Sequence, residues 1–465
     1  MNYVSTRGAA PAVSFLDAMI AGLAPDGGLY VPEAWPQLSH AEIAAFAGRP
    51  YAEVAADIVG RFAGDSIDKA ALAEICADAY ASFDHAAVAP LKQLGPGGFL
   101  LELFHGPTLA FKDIALQLLG RLYEHVLARQ GRRLTIVCAT SGDTGGAAVE
   151  AFRGRANVRL VALFPEGRIS EVQRRFMTTT GEDNISCLEV RGTFDDCQAM
   201  LKSMFRDAQF ASAVDLSGVN SINFARIAAQ AVYYFTAAVA LGAPRRKVAF
   251  CAPTGNFGDA YAGYVAHRMG LPIERIIVAT NANDILARAL ATGRYARGDV
   301  AATSSPAMDI QAASNFERLY FEAVGADADA TTRAFEGFAA RGALDIPPHA
   351  LAAMRGLFVG TAVSEAETAS TILGTLCETG ELIDPHTAVG LAAAARIGTA
   401  DPATPLVTLS TAHPAKFPEA VSAAAGVPAP TPPSVARMAE RRERFEPIAA
   451  DVEAAKAFVR EFALA

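Results

Sequence analysis

The chain has 465 residues, 52% of them hydrophobic and 19% charged, and carries a net charge of -9. At roughly 150 residues per domain that length predicts about three units, and so high an apolar share excludes a disordered chain. An acidic balance without any basic run excludes a nucleic-acid footprint, so an anionic ligand must be held by local groups.

In chain order, the opening "MNYVSTRGAAPAVSF" has neither the basic end nor the apolar core of a secretory signal. The most lipophilic run, Ala231 to Gly242, is shorter than the roughly 18 residues of a membrane span. A cytoplasmic protein without membrane contact is expected. After the loop "DGGLYVP", helical patterns around "LSHAEIAAFAG", "YAEVAADIVGRFAG" and "DKAALAEICADAYASF" predict a separate, mainly helical N-terminal domain over 1–95. From "GGFLLELF" onward apolar strand-like runs alternate with helical ones: "LTIVCAT" then "GGAAVEAFRG", "VRLVALFP" then "ISEVQRRFMTT", "KVAFCAP" then "DAYAGYVAHRMG". That alternation predicts an α/β architecture with parallel sheets, whose sites lie where strand ends open into helices. A linker "AGVPAPTPPSVAR" precedes a charged C-terminal helix over 436–465. The six cysteines show no C-x-x-C spacing and read as free thiols, mostly buried. The eight histidines, His105, His386 and His413 among them, show no H-E-x-x-H or other ligand spacing, so no metal is expected.

"HGPTLAFKD" leads directly into "IALQLLG", which puts Lys112 in an apolar segment. On a helix starting near Thr108 its neighbours on one face are Leu109, Ala115, Leu116 and Leu119. Such a lysine either lays its stem on apolar surface with its ammonium in water, or is buried, with a lowered pKa that makes the amine a nucleophile able to form a Schiff base. Three further loops have the composition of ligand cradles. "CATSGDTGGAA" places Ser141, Gly142, Asp143 and Thr144 between a strand and an Ala-rich helix, suited to a carboxylate or phosphate, or to a plain turn capped by Asp143. "APTGNFGDAY" offers the amides of Gly255, Asn256, Phe257 and Gly258 at a helix start. "PLVTLSTAHPAKF" ends an apolar strand in Ser410 and Thr411, whose hydroxyls would reach a ligand over the sheet or simply form a turn.

Taken together these stretches resemble pyridoxal-phosphate enzymes of the tryptophan-synthase-β fold type. The ordered set "HGPTLAFKD", "TSGDTGGAA", "PTGNFGDAYAGY", "TNANDIL", "SPAMDIQAASNFERL" and "LSTAHPAKF" is similar to the pattern of the threonine synthase family, and "YVSTRG" with "DGGLYVP" fits its longer branch. The resemblance implies two parallel-sheet lobes with pyridoxal 5'-phosphate between them: a large domain of 96–125 and 216–435, and a small domain of 126–215. It implies that Lys112 carries the cofactor and acts as catalytic base, that Gly255, Asn256, Phe257 and Gly258 cradle its phosphate, that Asp259 fixes that loop, and that Thr411 meets the pyridine nitrogen. Ser141, Gly142, Asp143 and Thr144 would grip the substrate carboxylate, although many relatives of the fold carry Asn where Asp143 stands. The family substrate, O-phosphohomoserine, needs a second phosphate pocket. Two stretches offer one: Ser170 and Gln173, flanked by Arg168 and Arg174, or Asn220, Ser221, Asn223 and Arg226. Either is equally an ordinary capped helix with arginines. The implied reaction is γ-elimination of phosphate followed by β-addition of water, in a monomer or homodimer. A serine/threonine dehydratase or sulfhydrylase of the same fold, or a non-catalytic phosphate or nucleotide binder, are the competing readings.

Overall fold

The runs "LTIVCA", "VRLVALFP" and "VAFCAP" are apolar at nearly every position, as strands covered on both faces must be. They form the centres of two sheets in the computed structural model, which describes residues 1–464. The larger sheet has the order Phe358–Ala362, Ile273–Thr280, Val248–Pro253, Leu406–Ser410, Gly98–Glu102, Leu91–Gln93, parallel throughout except for its last, antiparallel pair. The smaller has the order Glu446–Ala449, Ile185–Arg191, Val158–Pro165, Leu134–Ala139, Leu216–Ser217 and is entirely parallel.

The lobes divide somewhat differently from the expected ranges. Leu91–Gln93 joins the larger sheet and Leu216–Ser217 the smaller one, each by a few ladder bonds that periodicity cannot reveal in so short a strand. The C-terminal segment is more than a helix: Glu446–Ala449 adds an edge strand to the smaller sheet, and Val452–Leu464 then buries Ala455 and Val459 against that lobe. The N-terminal region opens on a three-stranded antiparallel sheet of Asn2–Ser5, Val13–Ser14 and Tyr30–Pro32 before its helices His40–Ala44, Tyr51–Ala63 and Lys69–Tyr80. Its apolar side chains share one continuous core with the larger lobe, where Tyr3, Phe15 and Phe62 pack with Phe224 and Tyr233. The lipophilic run that includes "AVYYFTAAVA" lies in the helix Phe224–Ala240, buried on nearly all sides among the helices around it. Among the described residues no helix is long and apolar enough to cross a membrane. Five cysteines are buried and unpaired, and Cys377 is exposed.

Lys112 opens its helix instead of sitting inside it. The helix spans Lys112–Gln130, not a segment from Thr108. Asp113 explains the difference. Its carboxylate accepts the Thr108 amide and the Thr108 hydroxyl, each at 2.7 Å, and closes the preceding residues into a turn in which Leu109 takes a left-handed φ of 60°. The helix can start only after that turn.

Candidate active site

A cleft at the carboxyl ends of the larger sheet's strands is lined by Phe111, Lys112, Asp143, Thr144, Ser221 and Arg226. Pro253 to Asn256, Gly258, Asp259, His386 and Thr411 line it as well. A more open hollow lies elsewhere, between Gly64–Lys69 and the far end of the Lys112–Gln130 helix, and none of the candidate site residues lines it.

Lys112 has only 12% of its side chain exposed, and its Nζ lies 3.5 Å from Asp143 Oδ2. Burial pushes its amine below the ordinary lysine value; Asp143 opposes this, while Lys416 and Arg226 reinforce it. A place in the first turn, at the positive end of the helix dipole, disfavours the ammonium further. Asp143 responds in the opposite way. Burial raises its carboxyl, but Lys416, then Lys112 and Gln173, outweigh that and hold it well below the usual carboxylate range. Its Oδ1 lies 2.9 Å from Lys416 Nζ and accepts from Gln173 Nε2 at 3.0 Å. The carboxylate stays charged because three donors converge on it, whereas Lys112 faces two other cations and gains less.

The second loop has the form of an anion cradle. Val248–Pro253 ends, Phe257 adopts a left-handed φ of 64°, and the helix Gly258–Arg268 begins. Among the described residues the amides of Gly255, Asn256 and Gly258 have no protein acceptor. The Phe257 amide differs, since it donates to Thr254 Oγ1 at 3.1 Å while its ring is buried against Phe316 and Phe358. Phe257 thus shapes the loop without offering its amide. Asp259 accepts from the Thr254 hydroxyl and from the Ala260 amide, and burial raises its carboxyl to about 6. At Gly255 a Cβ would lie 2.9 Å from the Ala307 carbonyl oxygen, so only glycine lets that backbone approach.

Past the strand Leu406–Ser410, the hydroxyl of Ser410 is engaged by Thr387, but that of Thr411 has no partner among the described residues. Free amides at a helix start, an unpartnered hydroxyl and a buried amine fit the phosphate, ring nitrogen and aldehyde of pyridoxal phosphate.

In the first cradle only Asp143 and Thr144 line the cleft. Ser141 and Gly142 do not; Gly142, at φ 125°, packs on Gln173 and donates its amide to Thr140. Of the two stretches offered for a second phosphate, Ser170 and Gln173 lie outside the cleft. They form a reciprocal capping box, and the Gln173 amide is further engaged by Asp143. Arg174 is paired with Glu443. In the other stretch Ser221 and Arg226 line the cleft. Asn220 is exposed, and Asn223 is wholly buried, capping its helix through Ala225 and donating to the Met19 carbonyl. Arg226 donates to the Val219 carbonyl at 3.2 Å, yet its buried Nε has no partner, and burial lowers the guanidinium to about 10. A cation buried with an open donor is prepared for an anion.

Four residues of the site carried no assignment from sequence. Lys416, wholly buried, donates to the Thr108 carbonyl at 2.7 Å besides pairing Asp143. His386 accepts the Ala307 amide on Nε2 at 3.3 Å, which puts its proton on Nδ1 facing Asp384. Asn315 donates from Nδ2 to the carbonyls of both Ser221 and Asn256 at 3.2 Å, and Arg318 braces Asn315, Ile222 and Tyr30. "SNFERL" and "AKF" stood inside the matching motifs, which is the only signal that pointed to three of these four.

Beside the site, His413 accepts the Ala415 amide at 3.1 Å and packs on Phe104, near His105, Glu102 and Asp384. Burial and then His105 lower it from 6.5 to about 4. As pH falls from 6.5 to about 4 the unfolded chain takes up a proton that folded His413 refuses, so stability is lost across that window. Asp113 and Asp259, both raised to about 6 by burial, act in the opposite sense, so the wild type must be the reference. His413→Asn, which keeps an acceptor for Ala415, is expected to lose about 2 kcal/mol less than wild type across it, measured by urea unfolding at both ends.

Residues 2–80 match the family model "Threonine synthase N terminus", 87–362 "Pyridoxal-phosphate dependent enzyme" and 387–459 "Threonine synthase, C-terminal". A threonine synthase of Pseudomonas aeruginosa is 50% identical over 99% of this chain and 98% of its own. The crystal structure of a PLP-bound threonine synthase from Brucella melitensis is 51% identical, covers both chains fully and superposes with a TM-score of 0.97. That of the yeast enzyme is 38% identical, covers 100% and 99%, and gives 0.94. With its cleft built around a buried lysine and its whole length matched, the chain belongs to the threonine synthase family of pyridoxal-phosphate dependent enzymes.

Proposed function

We propose that the protein converts O-phospho-L-homoserine and water to L-threonine and inorganic phosphate. The observation that carries this reading is the buried, partnerless Nε of Arg226 in the same cleft as the Gly255–Gly258 cradle, since two anion sites are what a phosphorylated substrate beside a phosphorylated cofactor needs. Lys112, Gly255, Asn256, Gly258 and Thr411 would hold pyridoxal phosphate. When bound, that group supplies an electron sink for charge developing at the substrate α-carbon.

The chain's own residues do the rest. Lys112, with its pKa lowered, carries a proton to and from the substrate carbons. Asp143, 3.5 Å from the Lys112 Nζ, keeps that side chain in place. Thr144, at the start of the helix Asp143–Phe152, meets the substrate carboxylate with the positive end of the helix dipole. Ser221 and Arg226 hold the γ-phosphate and steady it as it leaves. Thr411 would meet the ring nitrogen with a neutral hydroxyl, in contrast to an acidic partner.

The test is a coupled assay of phosphate and threonine with O-phosphohomoserine. Equal formation of both is expected. A cofactor-loaded protein that ignores this substrate but deaminates serine or threonine would move the reading to a sister enzyme.

A further inference from the structure

We propose that Lys416 is a positioning residue of this site: by occupying Oδ1 of Asp143 it confines the catalytic Lys112 to Oδ2 and, as a fixed neighbouring charge, keeps the Lys112 amine available in its unprotonated form. The inference rests on the assignment of Lys112 as the reactive amine.

The geometry leaves Lys416 no other evident task. It stands in the short turn Pro414–Lys416, wholly buried and remote from water, with its Nζ held by the Thr108 carbonyl at 2.7 Å and Asp143 Oδ1 at 2.9 Å. Its own carbonyl accepts the Ser170 hydroxyl at 3.1 Å, so the residue is anchored at its backbone and at its side-chain tip. A lysine buried merely to bind a backbone carbonyl would be an expensive way to join two loops, because any polar neutral side chain does so without desolvating a charge. Two ammonium groups on the two oxygens of one carboxylate divide its attraction, and each opposes the other's charge.

The groups facing Lys112 come from every wall of the cleft. Asp143 and Lys416 are joined by Arg226 from the helix Phe224–Ala240 and Asp259 from the helix Gly258–Arg268, with His386 also lining the cleft. Asp113, the next residue, is turned to Thr108. Asp259 has its carboxyl engaged by Thr254 and Ala260, and His386 faces Asp384. Lys416 is therefore the cation that shares Lys112's own counter-ion.

Reductive methylation by formaldehyde and cyanoborohydride reads the unprotonated amine, and peptide mass spectrometry follows it at Lys112 in the cofactor-free full-length chain. Lys416→Met is expected to slow methylation of Lys112 about tenfold at neutral pH, because Asp143 then serves Lys112 alone. Lys416→Arg, which keeps the charge, should restore the wild-type rate. Loosening of the structure would give the opposite sign, since a more open cleft speeds labelling. An unchanged or faster rate in folded Lys416→Met, or a slow rate in Lys416→Arg, overturns the proposal. Should Lys416→Met not fold, Lys416→Gln, which can still donate to Thr108, carries the same expectation. No substrate enters the measurement, so failure of the phosphohomoserine assay and failure here are separate results.

Discussion

Lys112→Ala is expected to lower turnover by about four orders of magnitude or more, with the fold intact. The size follows from how many tasks converge on one nitrogen. On the proposed reading it is the amine that would attach the cofactor and the group that would move the proton, and the nearest other amine cannot replace it, since Lys416 is locked between Thr108 and Asp143. The stability expectation runs the other way. The Lys112 ammonium is desolvated and faces Arg226 and Lys416, while Asp143 retains Lys416 and Gln173 when Lys112 is gone. The cofactor-free variant should therefore melt at or above the wild-type temperature, as when any group kept for function is removed. Calorimetry and steady-state kinetics on one preparation check both halves, and substantial residual activity would contradict the assignment.

Arg226→Met is expected to lower kcat/KM for O-phosphohomoserine by about tenfold to a hundredfold, the scale of one or two charge-assisted hydrogen bonds. Met retains much of the apolar stem, so the loss reports the guanidinium alone. Arg226→Lys should recover little, because a point charge does not reproduce a forked donor. Removing a buried cation whose Nε has no partner should leave the chain at least as stable. If KM and kcat both stay at wild-type values, the second anion site is elsewhere.

Much of the site was legible because its cradles are local. A strand, a glycine-bearing loop and a helix start follow one another within a dozen residues, and backbone amides at a helix start bind anions wherever they occur. "PTGNFGD" and "TSGDTGG" could be read that way with no knowledge of the fold. What joins the cradles is not local. Lys416 reaches Thr108 across 308 positions, and Asn315 reaches Ser221 across 94. No periodicity links such pairs. Ser170 and Gln173 show a different difficulty, because Ser-x-x-Gln at a helix start is a capping-box pattern as well as a set of anion donors. Only the tertiary placement of Asp143 beside Gln173 decides between them. The helix start was displaced for a similar reason, as Asp113 prefers closing the turn at Thr108 to continuing a helix through it.

The buried amide of Asn315, donating to the carbonyls of Ser221 and Asn256 together, ties the two candidate anion loops to each other. Their separation is then a property of the protein and not of whatever enters. On the proposed reading, such a pair of points would work as a calliper for the number of carbons between a substrate's amine and its phosphate. A homologue one methylene shorter or longer would then present its charge where no donor waits, and would be turned away by length alone.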